Sequence, residues 1–157
     1  METHPNVVAV REALEAAGAR TSEIVVLDEA VHTAVAAAEA LGVEVGQIAN
    51  SLIFDAEGEP LLVLTSGAHR VDTAKVAAGL GLAKLRRATP EFVREHTGQA
   101  IGGVAPLGHP KPVRTLVDVD LEKYDVIWAA GGVPRAVFPI TYAELVRVTA
   151  GTPAEVA

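Results

Sequence analysis

The chain has no cysteine. That excludes disulfides, thiolate nucleophiles, Cys-ligated zinc and iron–sulfur clusters. Aromatic residues make up 4%, with a single tryptophan, Trp128, so no stacking platform for unpaired bases is legible. No apolar run approaches the roughly 18 residues a membrane-spanning helix needs. The opening Met1-Glu-Thr-His-Pro5 lacks the basic stretch and apolar core of a secretory leader. No membrane partner is therefore expected, and the cytoplasm is the default location. Nucleophiles are scarce: the serines are Ser22, Ser51 and Ser66, and none lies in Gly-x-Ser-x-Gly. The zinc motif His-Glu-x-x-His, the phosphate loop Gly-x-x-x-x-Gly-Lys-Ser/Thr and the dinucleotide fingerprint Gly-x-Gly-x-x-Gly are all missing. His4, His32, His69, His96 and His109 are spread along the chain. No metal or other cofactor is expected.

What is present is a globular composition. Of 157 residues half are hydrophobic and 21% are charged, enough for one domain with a sizeable core. That domain is expected over residues 1–150, with residues 151–157 as a frayed tail. The net charge of −7 is unevenly placed. Residues 1–65 carry two basic and eleven acidic side chains, residues 66–114 eight and three, and residues 115–157 three and six. A local positive field can bind phosphate whatever the total charge. Arg86, Arg87, Arg94 and Lys111 are thus candidate polyanion contacts, against the plainer reading of a solvated face.

Hydrophobic spacing and capping signals divide the chain. Helices are expected over 6–17, over 34–41 behind a Thr33 cap, over 73–80 behind Asp72, from Thr89-Pro90 to about 97, and over 143–148 behind Thr141. His32, just before its cap, reads as a surface or capping-region histidine. Strands are expected over 23–27, 48–54, 60–65, 84–87, 115–119, 126–130 and 136–140. The second and third form a hairpin across Asp55-Ala-Glu-Gly58, and the run Leu61-Leu-Val-Leu64 reads as covered on both faces. Strands and helices do not alternate regularly. The fold class is therefore α+β, with a mixed sheet of about seven short strands, curved and barrel-like, flanked by helices.

The chain is organised around residues 96–109. Gly98, Gly102, Gly103 and Gly108 allow positive φ and close approach of a ligand, and Pro106 stiffens the turn. Free amides in such a loop can cradle an anion or an oxyanion. A site made of backbone amides, hydroxyls and an amide side chain suits a reaction whose substrate supplies the reactivity.

The segments Gln47-Ile-Ala-Asn-Ser-Leu-Ile-Phe54, Arg70-Val-Asp72, Thr97-Gly98, Gly102-Gly-Val-Ala-Pro-Leu-Gly108, Leu116-Val-Asp118 and Ala129-Ala-Gly131 come in this order. Together they resemble the YbaK/ProX family of aminoacyl-tRNA editing domains, relatives of the prolyl-tRNA synthetase insertion domain. The resemblance covers roughly residues 6–148. It implies a free-standing hydrolase that cleaves the ester of tRNA mischarged with a small amino acid such as Ala, Ser or Cys. It implies substrate-assisted chemistry, through a terminal-ribose hydroxyl or the amino-acid side chain, in which Gly102, Gly103, Val104, Ala105 and Pro106 position the carbonyl and the attacking water. It implies substrate contacts at Asn50, Ser51, His69, Thr97, Gly98, Asp118 and Gly131, and tRNA contacts at Arg86, Arg87, Arg94 and Lys111. A synthetase is a possible second partner; DNA is not expected. Many members carry a lysine where this chain has Asn50. That departure keeps open an alternative, a catalytically weak binding module of the same fold for an aminoacyl-nucleotide or a synthetase.

Overall fold

The computed structural model describes residues 4–20 and 23–157; Ser22 and the first three residues lie outside that range. Within it the order is α1 (Pro5–Ala16), β1 (Val25–Val26), α2 (Ala34–Leu41), β2 (Ile48–Ala56), β3 (Glu59–Ser66), α3 (Thr73–Gly79), β4 (Arg86–Arg87), α4 (Pro90–Thr97), β5 (Arg114–Asp118), β6 (Ile127–Ala130), β7 (Ala136–Ile140), α5 (Tyr142–Thr149) and β8 (Thr152–Ala154). Each expected helix cap is made. Thr33, Asp72, Thr89 and Thr141 accept a backbone N–H from the third residue onward, which satisfies a donor that has no partner inside the helix.

The β2–β3 hairpin closes on Glu57 and Gly58, both with positive φ (55° and 97°). A two-residue turn of that hand matches the twist of the flanking strands. Asp55 fixes it by accepting the Gly58 N–H at 2.7 Å.

The sheet runs β1-β7-β6-β2-β3-β5-β8, with β4 attached to β2 beside this path. β6 pairs with β2, β3 with β5 and β5 with β8 in parallel; the other pairs are antiparallel. The sheet is mixed, as expected, but its end strands β1 and β8 do not pair with one another among the described residues. It is an open sheet of eight strands and not a closed barrel. The eighth strand is the C-terminal segment read from sequence as frayed. It lies parallel to β5, and Val156 behind it is buried. A Thr-Pro-Ala strand carries no hydrophobic alternation, so only pairing with β5 reveals it.

β3 is covered on both faces. Leu62 and Leu64 pack into the main core with Val7, Val10 and Leu14 of α1, Phe138 of β7 and Leu145 of α5. Leu61 and Val63 face a second cluster with Val76 and Ala77 of α3. Each fully buried leucine contributes about 1.5–3 kcal/mol as an upper estimate. A third, smaller cluster seats Ala37 and Ala38 of α2 on Ile48.

Candidate active site

Two strands share one edge of β2. β6 pairs with Ile48 and Ala49, and β4 pairs with Phe54 and Asp55. Between them, residues 50–53 have no strand partner on that edge among the described residues. Unpaired strand edges present backbone donors and acceptors that need partners. A cavity of about 380 Å³ opens at this gap, within the range of about 300–1,000 Å³ usual for small-molecule sites. Its walls come from β2, from the turn into α2 with His32 and Thr33, from Trp128 on β6, and from Gly102 and Val104 of the glycine-rich loop.

Side chains on β2 alternate across the sheet. Ser51 shares its face with Ala49 and Ile53, which belong to the main core. The Ser51 hydroxyl is buried and has no hydrogen-bond partner among the described residues. A buried hydroxyl left unpaired costs about 1–3 kcal/mol, so this one is a ready contact for a polar ligand atom. Asn50 is half-buried, lies opposite Thr65 in the β2–β3 register, and also lines the cavity.

The loop is held by two side chains. Buried Gln99 accepts the Ala105 N–H at 2.7 Å, and His109 Nε2 donates to the Ala105 carbonyl at 2.7 Å. Burial pushes the His109 pKa down, against a smaller upward effect of that bond. The ring is therefore held neutral with its proton on Nε2. Gly103 N–H is used by Ala100 O at 3.0 Å. The amides of Gly102 and Val104 have no acceptor among the described residues. Gly102 has φ 91°, and a Cβ built on it would lie 3.1 Å from His32 Nδ1. Gly103 has a different reason to be glycine: a Cβ there would sit 2.9 Å from the Pro134 nitrogen and the Val133 carbonyl carbon. Its bare Cα lets the loop lie against the β6–β7 turn.

Of the residues read from sequence, the cavity wall holds Asn50, Ser51, Gly102, Val104 and Arg87. Ala105 and Pro106 are buried outside the wall. Thr97 and Gly98 close α4: Gly98 takes φ 72°, and the Thr97 hydroxyl donates to Val93 O at 2.7 Å and accepts the Gln99 N–H at 3.1 Å. Gly131 is packed against Ile24 and Ala136. Arg86, Arg94 and Lys111 are exposed and not in the wall.

His69 and Asp118 also lie outside the wall and meet each other. His69 Nε2 stands 2.5 Å from Asp118 Oδ2, and His69 Nδ1 3.3 Å from Asp120 Oδ2. These three form the one group among the described residues with potential ligand atoms within 4.8 Å of one another. Asp118 is already hydrogen-bonded: Oδ2 accepts the Ser66 N–H at 2.8 Å and Oδ1 the Asp120 N–H at 3.0 Å. The cluster thereby ties the ends of β3 and β5. Three residues of the site escape sequence reasoning. His32 carries no motif, Gln99 sits in a loop like any polar residue, and Trp128 reads as core. Only the fold brings His32 and Trp128 to the gap in β2.

Residues 28–148 match the family described as the aminoacyl-tRNA editing domain. The chain belongs to that family. This editing domain is 32% identical over 127 residues to YwhH of Bacillus subtilis (strain 168), covering 80% of each protein. It is 38% identical over 96 residues to the proline–tRNA ligase of Limosilactobacillus fermentum (strain NBRC 3956 / LMG 18251), and the match spans 58% of this chain and 17% of the ligase. The likeness is therefore to one part of that larger protein. A solved structure described as a candidate trans-editing enzyme for prolyl tRNA synthetase superposes with TM-score 0.90 at 44% identity, covering 98% of this chain and 97% of that one. No helix among the described residues is long and apolar enough to cross a membrane.

Proposed function

We propose that this editing domain acts in trans on mischarged tRNA and hydrolyses the ester between a small amino acid and the 3′-terminal ribose. The observation that carries the reading is the cavity at the split edge of β2. It brings together the unpaired Ser51 hydroxyl, the Asn50 amide and the lining residues Gly102 and Val104, whose N–H groups have no acceptor among the described residues. In the reaction, water attacks the ester carbonyl and negative charge develops on the carbonyl oxygen. Backbone N–H groups fixed in place before the reaction stabilise that charge without reorganising. Gln99 and His109 keep the loop in one shape, so the two amides stay in register. Asn50 and Ser51 offer hydrogen bonds to the amino group or the ribose. The full-length likeness to a candidate trans-editing enzyme supports action in trans.

The test is a panel of tRNAs mischarged with Ala, Ser or Cys, assayed for release of free amino acid. Release from at least one is expected, and Asn50→Ala should lower kcat/KM about ten- to a hundredfold through loss of roughly 1–3 kcal/mol. Binding of the aminoacyl end without release from any member would instead favour the binding-module reading.

A further inference from the structure

The cavity is large for a small amino acid. The side chain of alanine, serine or cysteine fills little of about 380 Å³, so something bulkier must occupy the rest. The chain's single tryptophan lines that space. Trp128 is half-buried, packed on Ala37 and Ala38 of α2 and on Ile48. It pairs with Ile48 across the β6–β2 register and so flanks one end of the gap in β2. Its indole N–H makes no hydrogen bond with a described residue, yet that nitrogen is open to solvent. The ring has no aromatic or cationic partner among the described residues either. Indole joins a large apolar surface to one polar donor, a combination that suits a flat, partly polar ligand. The wall also holds Ala34, Ala49 and Ala130, which are small, and no aspartate or glutamate. A cationic ligand finds no counter-charge there, whereas an uncharged ring finds a matching surface.

We propose that Trp128 seats the terminal adenine of the tRNA, an assignment that rests on the aminoacyl end entering this cavity as in the reading above. The ester sits on the last ribose of a tRNA, and the base on that ribose is an unpaired adenine. Stacking on an aromatic side chain holds an unpaired base without any pairing partner. Adenine has two fused rings and covers more of an indole than a pyrimidine does. The order of residues along β2 fits a nucleoside. Asn50 lies on the same face of the strand as Ile48, two residues or about 6–7 Å further along. A base on Trp128 therefore brings its ribose toward the Asn50 amide. Arg87, paired with Phe54 at the other end of the gap, is a cation in the wall for a phosphate to meet. With aromatics at 4% the chain holds no platform for a run of bases, but a single ring brought to the wall by the fold serves a single base.

The single tryptophan is its own reporter. The uncharged trinucleotides CpCpA and CpCpU differ in the last base alone. Each is titrated against the wild-type protein while Trp128 fluorescence is followed. CpCpA should quench it saturably and with a lower Kd than CpCpU. Trp128→Phe keeps an aromatic ring and Trp128→Leu keeps only apolar bulk, and thermal melting checks that both variants fold. Binding of fluorescently labelled CpCpA should weaken about five- to a hundredfold in Trp128→Leu and less in Trp128→Phe. On alanine-mischarged tRNA the same ranking should appear in KM. Absence of saturable quenching, equal affinity for the two trinucleotides, or equal affinity of the Phe and Leu variants for CpCpA overturns the assignment. Hydrolysis of mischarged tRNA by the same wild-type protein would then leave the deacylase reading in place. Conversely, CpCpA binding that depends on Trp128, in a protein that releases no amino acid from any mischarged tRNA, defeats the deacylase reading and keeps the adenine seat.

Discussion

At the residue scale, His109 links the loop to pH. Its ring is half-buried, and desolvation holds its pKa below the usual imidazole value. In the unfolded chain the ring returns to about 6.5. Between the depressed folded value and about 6.5 the unfolded state binds more protons, so stability rises with pH across that window. The contribution is complete above about pH 6.5 and is lost as pH falls below it. The melting temperature should therefore drop on acidification from about pH 7 to about pH 5. His109→Gln can still donate to the Ala105 carbonyl but cannot titrate, so its melting temperature should fall less over the same range. Equal slopes for both proteins would remove His109 from the account. His69 plays a structural part at the same scale. Its ring nitrogens face Asp118 and Asp120, and the three residues act as a strap between strand ends, away from the cavity wall.

At the element scale, the glycine-rich loop is a positioned element and not a slack connection. Sequence reasoning explains Gly103 by the room a substrate needs. The structure gives a different reason, contact with the backbone at Val133 and Pro134. Those are peptide atoms that cannot rotate away, so a side chain must push the whole loop off the β6–β7 turn. Gly103→Val should cost about 1–3 kcal/mol or more in urea unfolding, as overpacking does. It should also abolish deacylation, because Gly102 and Val104 move with it. A variant of wild-type stability would show that the loop and the turn are not in tight contact. The split edge of β2 is the second element that matters. A strand continuously paired on both sides would have no cavity. The gap exists because β6 ends its pairing at Ala49 and β4 begins its own at Phe54.

At the scale of the molecule, the charge is uneven along the chain: the acidic first 65 residues contrast with the basic middle block. Arg87 reaches the cavity and Arg86 stands exposed beside it on β4. A tRNA whose 3′ end enters the cavity would pass its backbone near these cations. Its affinity should then fall as salt is raised, since each neutralised phosphate releases counterions. Arg86→Glu combined with Arg87→Glu should weaken binding and flatten the salt dependence, measurable by filter binding or fluorescence anisotropy. A double variant with unchanged affinity and slope would move the tRNA to another face.

The sequence determined the elements. Thr33, Asp72, Thr89 and Thr141 announce helix starts because a short hydroxyl or carboxylate satisfies an end amide locally. The hairpin at 55–58 and the doubly covered run at 61–64 are equally local, since turn chemistry and alternation act over a few residues. It also determined the family, because residues 47–54 and 102–108 stand close together within their own segments. The tertiary structure alone decided how these pieces meet. The open sheet, the pairing of β8 with β5, and the arrival of His32 and Trp128 at the gap in β2 depend on contacts between residues far apart in the chain. The meeting of His69 with Asp118 across 49 residues is of the same kind. Periodicity and capping carry no signal over such separations, because strand order and orientation are fixed by which buried faces fit together and not by any one segment's own preferences.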